Sequence, residues 1–413
     1  MRPTGRSRRF ALHMFRMPVF AHHTTRSLLE RGELLLDLAE FEAAADCLER
    51  AAAALAPSDP ARGRVVGLTL EARADRARQH VHAQRFPLAA REVARALLLD
   101  PRRPELLWLR ARLAERSGRV EDALDDLLAL EDSQVRSVAS TLLEASCWVQ
   151  LDDAAAFDAV MTRAAKIATE HPCGIASGRM EVRLDAPRTF SHPIDAVGRM
   201  RCAVSARPAD TTRRTVLAEL LLDAGWVEEA ELHLAVARSI DPDDAAVTRL
   251  RGRACLERRD VSGALECFAR AAGKLARYPD LWLWTGLALL CGREIPQAKE
   301  ALTRALELNR RYAAAWQATA VTRFVAGDAP GAALAVRQVT LRHRERPAYP
   351  GGFYRALAQD PDDAALRELR RAAALHPDYA DLTQAFGLAL RTRRGRNTNG
   401  ALEERAAMEA VEA

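Results

Sequence analysis

Histidine pairs and cysteines are the side chains of this 413-residue chain whose spacing could support chemistry. His80 and His82 stand two apart, which on a helix turns them to different faces. A shared metal ion is therefore disfavoured, and solvated surface histidines are expected. His22 and His23 sit in an irregular start and read as a fortuitous pair. The seven cysteines, at 47, 147, 173, 202, 255, 267 and 291, are odd in number and scattered, with none at two-residue separation, so reduced thiols are the simpler reading. Cys255 and Cys267 would fall on the two helices of one unit, where buried packing is favoured over a redox pair. The sequence has no phosphate-cradling glycine loop, zincin histidine pair, nucleophile elbow or paired-cysteine metal site. The expectation is accordingly a non-enzyme with no catalytic residues, no metal and no cofactor.

The elements that would position any site are helical. Hydrophobic residues make up 49% of the chain and aromatics 5%, about one residue in five is alanine, and apolar residues recur at i, i+4 and i+7 where strand alternation is absent. The net charge of +5 is carried almost wholly by arginine, with Lys166, Lys274 and Lys299 the only lysines. Arginines interleave with carboxylates as on a solvated helix surface, which speaks against a nucleic-acid patch. The longest charge-free stretch is shorter than the roughly twenty apolar residues of a membrane span. Residues 1–29 hold six arginines and no acid. Their apolar part is broken by His13 and Arg16, so a disordered leader, or a start at Met17, is expected over a secretory signal.

The period of the chain is 34. Alanines stand at Ala196, Ala230, Ala264, Ala298 and Ala332. Four residues after each comes a large apolar side chain (Met200, Leu234, Phe268, Leu302, Val336), and seven after comes Ala203, Ala237, Ala271, Ala305 or Val339, all on one helical face. A dozen residues upstream lies a small residue, Ala218, Gly252, Gly286 or Ala320, which lets the two helices of a unit approach.

These columns resemble the tetratricopeptide repeat, with Trp282 and Trp316 at its large packing position, Pro208 and Pro242 ending second helices, and Gly225-Trp226-Val227-Glu228-Glu229-Ala230 similar to its turn. The packing role also outweighs a base-stacking role for the tryptophans. The resemblance is most specific over 209–341. It implies an all-α, right-handed superhelical solenoid of antiparallel helix pairs. On that basis the expected organisation is a basic leader over 1–24, degenerate repeats over 25–172 and an irregular break over 173–194. The best-defined array follows over 195–345, then a terminal repeat with a capping helix over 346–392 and a tail over 393–413.

The resemblance further implies that first helices line a concave groove. That mapping gives Thr215, Glu219 and Leu222, then Arg249 and Arg253, then Leu283, Leu287 and Leu290, then Gln317, Val321 and Phe324. Such a groove would suit an amphipathic helix or extended peptide carrying an acidic group, with packing between helices as the competing reading of its apolar residues. Trp284 and Ala318 stand where a chaperone-tail clamp would want asparagine and arginine, which disfavours that ligand. The expected function is a cytoplasmic scaffold or adaptor binding protein partners, without nucleic acid or an integral membrane segment. The alternatives are an accessory subunit of an envelope or export assembly and a regulatory partner of a transcription factor.

Overall fold

The computed structural model describes residues 25–132, 137–172, 196–342, 349 and 351–393, and every regular element among them is helical. The basic leader with His22 and His23, the break with Cys173, and most of the tail lie outside the described residues. The helices are α1 (Thr25–Asp37), α2 (Phe41–Ala54), α3 (Ala61–His82), α4 (Phe86–Leu99), α5 (Pro104–Arg116), α6 (Val120–Asp132), α7 (Val138–Gln150) and α8 (Ala154–Glu170). They continue as α9 (Ala196–Ala206), α10 (Thr211–Ala224), α11 (Val227–Ile240), α12 (Ala245–Glu257), α13 (Val261–Leu275), α14 (Pro279–Cys291), α15 (Ile295–Leu308), α16 (Ala313–Val325), α17 (Ala329–Arg342), α18 (Gly351–Gln359) and α19 (Asp363–Leu375). A last helix, α20, runs over 380–393. None of the described helices is long and apolar enough to cross a membrane.

The chain divides into two compact units, with the boundary between Ala72 and Arg73 inside α3. The first unit packs Leu28, Gly32 and Leu35 of α1 on Ala44, Leu48 and Ala51 of α2, with Val65 and Ala72 of α3 closing the core.

One packing rule recurs in seven of the helix pairs. A small residue on the first helix faces a large one sixteen positions later on the second. A methyl group at Gly32 would stand 2.6 Å from Leu48 Cγ, one at Gly252 2.6 Å from Phe268 Cε1, and one at Gly286 2.7 Å from Leu302 Cγ. Alanine takes the small place opposite Leu127 (Ala111), Met161 (Ala145), Leu234 (Ala218) and Val336 (Ala320), all of them buried. Without a side chain at the crossing, the axes approach closely and the large residue fills the gap.

The turn inside each pair also follows the period. Its left-handed residue is Gln84, Gly118 and Asp152 in one series and Gly225, Arg259, Arg293 and Gly327 in the other, with φ between 58° and 80°. The N–H of this residue and the next return to the end of the first helix, as in Gly225 to Leu222 O (3.1 Å) and Trp226 to Leu221 O (2.8 Å), which satisfies carbonyls left open at a helix C-terminus. Aspartate then caps many helices, as Asp260 accepts from Gly263 N and Asp328 from Gly331 N.

The Asp152 turn shows why α7–α8 reads as degenerate. The pair keeps the 34-residue spacing from Gly118, but Phe157 stands where the ladder calls for alanine. Trp282 and Trp316 take the expected packing position. Each is half-buried, and each indole N–H donates to the carbonyl six residues back, Ala276 O at 2.8 Å and Arg310 O at 3.0 Å.

Stacking is not sequential throughout the second unit, in contrast to the simple linear array the repeat suggests. From α4 to α8 and from α9 to α17, neighbours in sequence are neighbours in space. The pair α7–α8, however, packs on α16–α17, with α7 against α17 and α8 against α16. Val138, Leu142, Phe157, Val160 and Met161 share one core with Leu283, Leu287, Val321 and Val336, and the Phe157 and Phe324 rings meet edge to face at 6.4 Å. The terminal pair departs likewise. Tyr349, Phe353, Tyr354 and Leu382 share a core with Met200, Val216 and Leu217, so α18–α20 cover the start of the second array and not its end. Arg199 to Asp362 (3.1 Å) and Arg213 to Gln359 (3.3 Å) tie the same seam.

The histidine expectation is corrected too. His80 is buried, and His82 Nε2 lies 3.2 Å from His376 Nδ1; an Arg371–Asp75 ion pair at 2.7 Å, its carboxylate fully buried, joins the same two stretches of chain. Helices distant in sequence meet there, information no local spacing holds.

Candidate protein-interaction site

The first helices of successive pairs, α10, α12 and α14, bring the charged members of the mapped groove together. Arg249 Nη2 lies 3.6 Å from Glu219 Oε1, and Arg253 Nη2 lies 2.6 Å from Asp223 Oδ1. The Arg253 guanidinium also stacks 4.9 Å from the Trp284 ring centre. Tyr312, at the start of α16, donates its hydroxyl to Asp280 of α14. Burial pushes the Glu219 carboxyl above the usual carboxylate range; Arg249 opposes the shift and Asp223 adds to it. The side chains of Glu219 and Arg249 keep 24% and 15% of their surface in solvent, Asp280 is exposed, and Arg253 is buried.

The apolar members behave differently. Leu222, Leu283, Leu287 and Val321 are wholly buried, Leu290 and Gln317 nearly so, and Phe324 half-buried against Phe157. They form the packing surface between helices, so the open apolar groove is corrected: α7–α8 cover much of it. The arginines are already engaged by carboxylates of their own chain, which removes the reason to expect an acidic group on the partner.

The partners Asp223 and Asp280, and the ring of Trp284, were not foreseen. Glu219 and Arg249 are thirty residues apart, as are Asp223 and Arg253. That offset is one repeat less one helical turn, and it would have flagged both pairs. A second polar seam on α5 and α7 has the same logic. Glu115 accepts from Ser146 Oγ (2.9 Å) and Gln150 Nε2 (2.8 Å). Burial holds its carboxyl above the ordinary value, and the Cys147 thiol beside it is pushed up to about 12 by burial and by Glu115. Cys255 is half-buried and Cys267 buried, with the Cys255 thiol pushed up by burial and then by its neighbour. No group of three or more metal-ligating side chains gathers among the described residues.

The description of the tetratricopeptide repeat matches residues 74–134 and 215–280, the second stretch spanning this charged cluster. The chain carries tetratricopeptide repeats over these two stretches. Its fold is the all-α stack of antiparallel helix pairs proper to that family, a fold that serves as a protein-interaction scaffold. Comparison with curated protein sequences gives no match. Among solved structures, this repeat protein is similar to MamA at 18% identity, over 35% of this chain and 85% of that one, with a TM-score of 0.31. It is similar to yeast Tom70 at 13% identity over 90% and 96% of the two chains (TM-score 0.32), and to the APC/C hetero-tetramer Cut9-Hcn1 at 11% over 94% and 93% (TM-score 0.34). Likeness at this level says nothing of partner or process.

Proposed function

We propose that this tetratricopeptide-repeat protein is a non-enzymatic scaffold that holds a peptide segment of a protein partner on the inner faces of α10, α12 and α14. The observation that supports it is the charged cluster of Glu219, Asp223, Arg249, Arg253 and Asp280 within the matched repeats, in which Glu219, Arg249 and Arg253 stand on the mapped binding positions and Glu219, Arg249 and Asp280 reach solvent. Three carboxylates against two guanidiniums leave the seat slightly acidic. It suits a segment offering a cationic side chain and backbone groups, the reverse of the acidic segment first expected. Of the mapped groove residues, Glu219, Arg249 and Arg253 stay in this proposal, whereas Leu222, Leu283, Leu287, Leu290, Gln317, Val321 and Phe324 are assigned to packing.

The test compares tagged full-length wild type with an Arg249→Gln/Asp280→Asn variant, both purified from native cells and their bound proteins identified by mass spectrometry. A partner lost from the variant, with the melting temperature kept, supports the seat. An identical set of bound proteins from both would remove it.

A further inference from the structure

The outer side of α11 carries an uncharged row, Leu232, Ala235, Val236, Ser239 and Ile240, at i, i+3, i+4, i+7 and i+8. All five are exposed, Leu232 at 69%, Val236 at 39% and Ile240 at 47%. The 34-residue register supplies an internal control. The same five columns read Glu266, Ala269, Arg270, Gly273 and Lys274 on α13, and Glu300, Thr303, Arg304, Glu307 and Leu308 on α15, as befits a solvated face. On α17 they include Leu334 and Leu341, but Arg337 and Gln338 share the face. Columns that carry charges on α13 and α15 thus carry none on α11, the signature of a helix face built to meet another helix.

The row is prepared for burial. The Ser239 hydroxyl already donates to Val236 O at 2.8 Å, so covering it orphans no donor. Ala235 and Ser239 are small enough for a close helix approach. Glu231 and Arg238 lie on one flank of the row. Arg238 is exposed and has no ion pair among the described residues, while Glu231 is held only by a surface contact with Arg258 at 3.1 Å.

We infer that the row seats a second copy of this chain, α11 lying antiparallel to its counterpart about a two-fold axis near Ala235. In an antiparallel pair each flank faces itself reversed, so Glu231 of one copy meets Arg238 of the other, twice. The row spans only about 12 Å of helix, so the interface is small and the dimer dissociates in the micromolar range. The inner faces of α10, α12 and α14 are left free, and the pairing stands or falls independently of the partner seat.

Sedimentation of the full chain from about 1 to about 300 µM should show the mass rising from 45.5 kDa toward twice that value. The Leu232→Arg/Val236→Arg variant, altered only at exposed positions, should remain a monomer with unchanged melting. Arg238→Glu should weaken the dimer by at least about tenfold, and adding Glu231→Arg should restore it. In a Cys202→Ser background, Ala235→Cys should cross-link to itself. A wild type that stays monomeric throughout, a dimer indifferent to the double arginine variant, or a monomer that instead holds a different protein on this row would each overturn the inference.

Discussion

Gly252→Ala and Gly273→Ala are the same substitution in one repeat, and the packing gives them opposite signs. At Gly252 the added methyl would stand 2.6 Å from Phe268 Cε1, 2.9 Å from Cδ1 and 3.0 Å from Cys267 Cβ. Carbon atoms at rest lie about 3.5–4.0 Å apart. Phe268 is 1% exposed and cannot swing aside, and the Cys267 Cβ moves only with its backbone. Overpacking of this kind costs about 1–3 kcal/mol, and with two obstructed sides the upper value applies. Alanine returns about 1 kcal/mol through helix propensity, leaving a net loss of about 2 kcal/mol. At Gly273, near the end of α13, nothing lies within 4 Å of the new methyl, so only the gain remains, reduced to about 0.5 kcal/mol near the helix end. Adding Phe268→Leu to Gly252→Ala recreates the Ala218/Leu234 pairing already present one repeat earlier, so the double variant should recover most of the loss. Urea titration followed by circular dichroism at 222 nm reads all four proteins. Gly252→Ala at or above wild-type stability, or no difference between the two glycine variants, would refute the crossing rule.

Leu287→Glu should cost several kcal/mol and lower helicity, because a wholly buried leucine gives way to a carboxylate with no partner; unchanged melting would return Leu287 to an open groove. Glu115→Gln should stabilise the protein progressively more as pH rises. Burial, ahead of the opposing hydrogen bonds, holds the folded carboxyl above its unfolded value near 4.5. Wild-type stability is therefore fullest below that value and falls as pH rises through the folded one, a slope glutamine lacks. The advantage should vanish in melts near pH 4. Asp362 has the opposite sign. Backbone Ala365 and Arg199 outweigh burial and hold its carboxyl low, so its contribution is present above the ordinary carboxylate value and fades in acid, and Asp362→Asn should matter least at low pH.

The repeat was legible because its columns are enforced by packing that recurs every 34 residues. Ala230 and Leu234 face the same crossing as Ala264 and Phe268, and burial at each leaves a residue type in the sequence. The turns were half legible. Gly225 and Gly118 advertise a left-handed residue, whereas Gln84, Asp152, Arg259 and Arg293 take the same conformation without a glycine to mark it. Meetings between distant helices were not legible, for Phe157 and Phe324, or His82 and His376, carry no shared period. At the candidate site, Arg249 and Arg253 were found through the family mapping, but the apolar columns beside them read identically whether solvent or another helix lies opposite. Only which helices stack on α14 and α16 decides that, and composition does not encode it.

The meeting of α7–α8 with α16–α17 follows from a problem every stacked array has: its last pair presents an oily face that the next repeat would have covered. Two arrays in one chain supply two such faces, and here each covers the other. Phe157 explains the choice of partner. An alanine at that ladder position would complete an ordinary pair, whereas the larger ring reaches across to Phe324, and both belong to one core with Met161 and Val321. Phe157 is 5% exposed, so Phe157→Ala should cost about 3–5 kcal/mol. Because it serves an end-to-end contact, the loss should fall locally. Amide hydrogen exchange should accelerate in α7, α8, α16 and α17 while α10 to α13 keep their protection. Acceleration confined to α7 and α8 would mean that the two ends do not hold each other, and uniform acceleration would mean that the arrays fold as one indivisible block.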